Sequence, residues 1–183
     1  MPARQTVPRL YLMTDERMGD GLWRALERLP RGAGVIFRHH ATAADERRRI
    51  YELVRTIARR RRLVLLLAGP SRRAIGWRAD GMHGRGRVSG SRIRTAPAHD
   101  AREVIAAIRS RADAVFISPI FATRSHPDAR VLGRARFGEL ARLARKRDRA
   151  VQVIALGGVD NDRFRPLRAL GADGWAAIDG WCR

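Results

Sequence analysis

Apolar residues in this chain fall in short unbroken runs, and between the runs they recur at helical spacing. Residues 10–15 (LYLMTD) read as a strand closed by Thr-Asp, and Leu22, Ala25, Leu26 and Leu29 then mark a helix within 19–29. A second strand is expected over 35–38, ending in His39-His40. A long helix follows Thr42, with Ile50, Leu53, Val54 and Ile57 on its inner face and the arginine run 59–62 at its end, where cations suit the helix carboxyl terminus. Residues 63–67 form a third, wholly apolar strand, and Ala68-Gly69-Pro70 turns it into a short helix through Trp77. Gly81-Met82-His83 is a minimal fourth strand. The Gly- and Arg-rich stretch 84–91 is too short for a helix, so a fifth strand near 93–97 follows a trimmed connection. A helix over 100–109 turns Val104, Ile105 and Ile108 inward. A sixth strand at 114–119 leads into a polar loop, 120–132, and Phe137, Leu140, Leu143 and Ala144 mark the next helix.

The closing stretch 150–180 carries the clearest unit. Residues 151–156 are apolar apart from Gln152, as in a strand buried on both faces of a parallel sheet. Gly157-Gly158 ends it with backbone N–H groups that no side chain shields, and Asn161 is expected to cap the next helix and aim its dipole at the same place. Gly171 stops that helix, and a last strand runs over 174–178 to Asp179-Gly180. Eight strands alternating with helices predict a parallel sheet closed as a (β/α)8 TIM barrel, trimmed and lacking the last helix, with 1–183 as one domain. An open doubly wound sheet is the structural alternative.

Composition then narrows the picture. With 45% hydrophobic residues, the chain of 183 residues has material for a real core. It has no apolar run long enough to span a membrane and no secretion signal over 1–8, so a cytoplasmic protein is expected. Cys182 is the one cysteine and cannot form an internal disulfide. The formal charge of +20 comes almost wholly from arginine, since Lys146 is the only lysine. Codon bias toward Arg, Ala and Gly accounts for part of it; the remainder suits an anionic partner, a phosphorylated metabolite or a nucleic acid.

In parallel barrels, chemistry sits on the loops at the carboxyl ends of the strands. His39, His40, His83, His99 and His126 all fall there. His39 is expected to be an ordinary surface histidine, because neighbouring strand residues point to opposite sides. His99 and His126 are the candidates for acid and base work near neutral pH. A transition-metal site lacks any pair of histidines at short ligand spacing. Arg38 stands out from an apolar strand, and the loop with Thr123, Arg124, Ser125 and His126 is rich in groups that neutralise and hydrogen-bond phosphate. Arg38, His40, Thr123, Ser125, Gly157 and Gly158 are therefore the candidate phosphate-binding residues.

In their order and spacing these pieces resemble the thiamine phosphate synthase and thiazole tautomerase family. LYLMTD is similar to the family's opening strand and Ala79-Asp80-Gly81-Met82-His83 to its fourth-strand signature. Ala98-His99-Asp100 with Glu103, Ser118-Pro119-Ile120-Phe121 with Thr123, LGGV and GADGWAAI are similar to later motifs, so the likeness runs from Leu10 to Trp181. It implies either ligation of a pyrimidine diphosphate to a thiazole phosphate with Mg²⁺ on the diphosphate, or a metal-free proton shift in a thiazole phosphate. It also implies that Arg38 sits on a strand where the family has glutamine and lysine at the places of Ile36 and His40. The third strand ends Ala68-Gly69 where the family has Asn-Asp, and Val88 stands near the place of the second Mg²⁺ carboxylate. Ser125-His126 replace Thr-Lys, Pro97 replaces a serine, and Asp179 replaces the serine near the thiazole phosphate.

Two missing carboxylates remove the oxygen ligands of a hard cation, so no metal site and no cofactor is expected, and the proton-shift branch suits the chain better than the metal-dependent one. His99 would be the proton carrier. The alternatives are a catalytically silent barrel that binds a phosphorylated ligand, and an RNA- or polyanion-binding module. The last is the least expected, because Trp23, Trp77, Trp175 and Trp181 do not interleave with a basic stripe. A strand eight left uncovered by a helix predicts a homodimer contact around Trp175 and Trp181.

Overall fold

The structure, a computed structural model, describes residues 6–86, 92–123, 130–178 and 181. Eight parallel strands close on themselves in sequence order: β1 Leu10–Met13, β2 Gly34–Phe37, β3 Val64–Ala68, β4 Gly81–His83, β5 Ile93–Ala98, β6 Ala114–Ile117, β7 Gln152–Leu156 and β8 Gly174–Ala177, with β8 pairing back onto β1. The helices are α1 Gly21–Arg28, α2 Ala44–Arg61, α3 Ser71–Gly76, α4 Ala101–Arg109, α5 Gly133–Arg147 and α6 Asn161–Ala169. Among the described residues none follows β4 or β8. None is long and apolar enough to cross a membrane.

Strand residues alternate between two apolar environments. Tyr11, Met13, Ile36, Leu66, Phe116 and Ile154 fill the barrel interior, where the Tyr11 and Phe116 rings meet edge to face at 4.8 Å. Leu12, Val35, Phe37, Leu65 and Leu67 face outward beneath α1, α2 and α3, and Val115, Ile117, Val153 and Ala155 lie beneath α4, α5 and α6.

Two helical faces differ from the sequence pattern. Leu53 on α2 is 56% exposed, whereas Arg47 on the same helix is 5% exposed. On α4 the buried residues are Val104 and Ala107, with Ile105 and Ile108 only half-buried. The cap of α6 is Asp160, whose carboxylate accepts from the Arg163 N–H at 2.9 Å; Asn161, expected as the cap, is already the first helical residue. Trp175 is 5% exposed because Trp181 stacks on it at 4.9 Å and donates its indole N–H to the Tyr11 carbonyl.

A device repeats at the other end of the strands. Ahead of β4, β6 and β8 the chain has a residue at positive φ (Arg78, Arg111, Gly171), a buried alanine, and an aspartate. The carboxylates of Asp80, Asp113 and Asp173 accept from the backbone N–H of Leu65, Arg94 and Val153, each on the preceding strand, at 2.7–2.8 Å. Each therefore ties the start of one strand to its neighbour. Gly81 and Gly174 follow two of these aspartates because a Cβ would come within 2.1 Å of the Ile93 carbonyl oxygen or 1.8 Å of that of Arg9.

Replacing Asp80 by Ala leaves the Leu65 N–H without its charged acceptor and should lower unfolding stability by about 1–3 kcal/mol. Gly81→Ala should cost more, because backbone must move to admit the methyl. Urea unfolding monitored by circular dichroism checks both, and equal stability of the three proteins would contradict the role given to these turns.

Candidate functional site

The carboxyl ends of all eight strands open on one rim, and polar residues meet there at the ends of β1 and β2. Thr14, fully buried, accepts the Arg38 N–H at 3.0 Å, so its own hydroxyl proton is available to His39 Nδ1 at 2.9 Å. His39 is 4% exposed and is not a surface residue. A positive φ of 42° breaks the strand's alternation and turns the ring flat onto Phe37, 4.6 Å away. Burial, against the pull of Glu16 and Asp15, holds its basicity below the ordinary histidine range.

Arg38, expected to bind an external anion, already donates to Asp15 Oδ2 at 2.6 Å, and its buried Nε has no partner. Asp15 also accepts from Arg17 through the other oxygen. Burial alone would raise the Asp15 carboxyl, but the bonds from Arg17 and the charges of Arg38 and Arg17 hold it below the usual carboxylate range. Arg47 locks the same corner. It donates to the Arg38 carbonyl at 2.8 and 3.0 Å and to the Ala68 carbonyl at 3.3 Å, and it lies over the Phe37 and Trp77 rings. A guanidinium whose donors meet carbonyl oxygens and ring faces can be buried in place of a hydrophobe. His40 is exposed beside this cluster; partial burial and then the charges of Arg47 and Arg38 lower its pKa.

His83 ends β4 inside the mouth, edge-on to Phe116 at 5.0 Å. Thr95 donates to the Met82 carbonyl, so the 2.9 Å contact between His83 Nδ1 and Thr95 Oγ1 is read as Nδ1–H donating. Burial, followed by the charges of Arg38 and His40, pushes its pKa down to about 3.

His99 lies exposed beyond β5. Its backbone N–H is bound by Glu103, which itself is paired with Arg85. Ring Nδ1 donates to the Ser118 carbonyl at 2.7 Å, which leaves Nε2 as the basic nitrogen of the neutral ring. Ser118 precedes a cis peptide bond to Pro119.

The described residues at the two ends of the segment after β6 pack against β7 and each other. Ile120 and Phe121 donate to the carbonyls of Leu156 and Gly157 at 3.0 Å, and Leu132 and Gly133 donate back to Pro119 and Ile120. Gly157 and Gly158 have φ of 96° and 64°; a Cβ would approach Pro119 Cα to 2.7 Å in one and the Ala122 carbonyl oxygen to 2.8 Å in the other. The glycines thus serve loop packing, while their N–H groups donate to no described residue. Arg163, from the first turn of α6, donates to the Gly158 carbonyl at 2.7 Å and lies over the Phe121 ring. The sequence reading missed Arg163, Thr14, Asp15 and Arg47. A cation in the first turn of a helix, where the dipole disfavours it, was the available sign for Arg163. Thr123 is half-buried at the start of the loop's outer part, and Ser125, His126, Val88 and Asp179 lie outside the described residues.

The set does not fit a Mg²⁺ ion. Magnesium requires oxygen ligands. The ends of β3 and β4 present Ala68, Gly69 and His83 beside Arg38 and Arg47, and no Asp or Glu occurs anywhere between Asp80 and Asp100. The nearest carboxylates, Asp15 and Glu16, already accept from Arg17, Arg38 and the Ala41 N–H.

The fold is a closed parallel barrel whose strands bring their carboxyl ends to one polar rim. The family model for thiamine monophosphate synthase matches residues 10–180. A thiamine-phosphate synthase of Methanoregula boonei is 33% identical, with 92% of this chain aligned to 83% of that one. One from Chloroflexus aurantiacus is 27% identical, over 93% of this chain and 83% of the relative. Among solved structures, thiamine phosphate pyrophosphorylase from Pyrococcus furiosus superposes with a TM-score of 0.73 at 22% identity, covering 93% of this chain and 85% of that one. The chain belongs to the thiamine monophosphate synthase family.

A neutral His83 makes the fold sensitive to acid. With a folded pKa near 3 and an ordinary value of 6.5, the unfolded chain takes up a proton that the fold refuses. Stability should therefore fall as pH drops from 6.5 toward 3. In His83→Gln that decline should be shallower between pH 6.5 and 4.5, measured by urea unfolding across the range; an unchanged slope would show that the buried ring is not held neutral.

Proposed function

We propose that the carboxyl rim binds a phosphorylated thiazole and that His99 moves a proton on it without a metal ion. The observation that carries this reading is the His99 ring: Nδ1–H is committed to the Ser118 carbonyl, so the proton enters and leaves at Nε2. A group held in one tautomer by a backbone acceptor is suited to general acid and base work. The phosphate would meet the N–H groups of Gly157 and Gly158, which donate to no described residue, with Arg163 beside them. Arg38, His40, Thr123 and Ser125 would meet the rest of the ligand, and His126 would be a second proton-transfer group.

The family's ligation reaction, with Mg²⁺ on a diphosphate, is not supported by the donors at β3 and β4, where guanidinium groups stand. Within thiamine biosynthesis the isomerase type of reaction is the one these residues can perform. A soluble barrel acting on small phosphorylated molecules in the cytoplasm is the corresponding setting.

Isomerisation of a thiazole phosphate, followed by proton NMR, tests this. His99→Gln should slow it at least about 100-fold, while calorimetric affinity for the same compound stays within about twofold. An unchanged rate would remove His99 from the chemistry, and binding without turnover in the unmodified protein would make the barrel a silent binder.

A further inference from the structure

The barrel's opposite end carries a second feature, independent of the rim. There backbone bonds link the turns that precede the strands to their neighbours. Gly32 donates to the Arg62 carbonyl, Asp80 to Leu65, Ile93 to Asp80, Asp113 to Arg94, Gln152 to Asp113, Asp173 to Val153 and Trp175 to Arg9. All six helices end on this side, each with a basic last turn. One cation per helix is what the helix dipole explains.

The face holds far more. Arg59, Arg60, Arg61 and Arg62 close α2, and Arg145, Lys146, Arg147 and Arg149 close α5. Exposed arginines also stand in the turns themselves, at 31, 78, 92 and 111. The acids of this face are all used internally. Asp80, Asp113 and Asp173 bind strand N–H groups, Asp148 caps Ala150, and Glu27 takes Arg60 and Arg61. Arg31, Arg59 and Arg62 are exposed, lie together through the bond from Gly32 to the Arg62 carbonyl, and have no acidic partner among the described residues. The rim keeps acids in the first turns of α2, α4 and α6, while the floor's acids accept from backbone N–H groups or from neighbouring arginines and leave Arg31, Arg59 and Arg62 facing solvent.

We propose that this floor docks the phosphate backbone of a double-stranded nucleic acid. Guanidinium forks suit phosphate oxygens. A single strand would want stacking platforms, and none of the chain's aromatic side chains is exposed. Contact is through backbone phosphates and carries no base readout.

The test is fluorescence anisotropy with a labelled 20-base-pair DNA duplex at several salt concentrations, 150 mM included. Binding should persist at 150 mM. The triple variant Arg31→Gln, Arg59→Gln, Arg62→Gln should lose at least tenfold in affinity and about 2–3 in the slope of log K against log salt. A triple of equal charge change on the rim, Arg72→Gln, Arg102→Gln, Arg134→Gln, should bind as the unmodified protein does. Equal losses in both triples, no binding at 150 mM, or equal affinity for polyglutamate would each overturn the proposal.

Discussion

The pairing of β8 onto β1 is the constraint on which the molecule depends. Leu10, Tyr11 and Leu12 stand in register with Trp175, Ala176 and Ala177, so a sheet that would otherwise have two raw edges has none. The parallel pairing of every neighbour also fixes direction. Every strand must deliver its carboxyl end to the same rim, and every helix must bring its carboxyl end to the floor. The separation of the rim, with its histidines, from the floor, with the basic helix ends, follows from that arrangement. Trp181 stacks on Trp175 and donates to the Tyr11 carbonyl beside this junction.

The rim differs from an oxygen-lined metal site in the sign of its field. Arg38 and Arg47 stand where β2, β3 and β4 converge, and the lowered basicity of His39, His40 and His83 comes from burial, with Arg38 and Arg47 or His40 adding to it. His99 lies outside this cluster, its backbone N–H on the Glu103 carboxylate and its ring on the Ser118 carbonyl.

Most strands were legible in the sequence because strands buried on both faces are apolar runs, whereas β4 is only Gly-Met-His and β5, which carries Arg94 and Thr95, was placed by its spacing from it. The barrel and the family motifs followed from the same runs. What was hidden depended on partners distant in sequence. Arg47 is buried because Phe37, Trp77 and two carbonyls surround it, which no helical periodicity reveals. His39 left the surface because one residue at positive φ broke the alternation. Asp160 and Asn161 are both good caps, and only the backbone angle decides between them. The repeated aspartate turns were visible as Arg-Ala-Asp at 78–80 and 111–113 and Gly-Ala-Asp at 171–173, but their meaning needed the neighbouring strands.

Calorimetric titration with thiazole phosphate, first in the presence of a chelator and then with excess Mg²⁺, addresses the metal-free rim most directly. Stoichiometric binding of equal affinity in both conditions is expected. Binding that appears only with Mg²⁺, or none in either condition, would contradict a rim whose arginines and backbone N–H groups meet the phosphate by themselves.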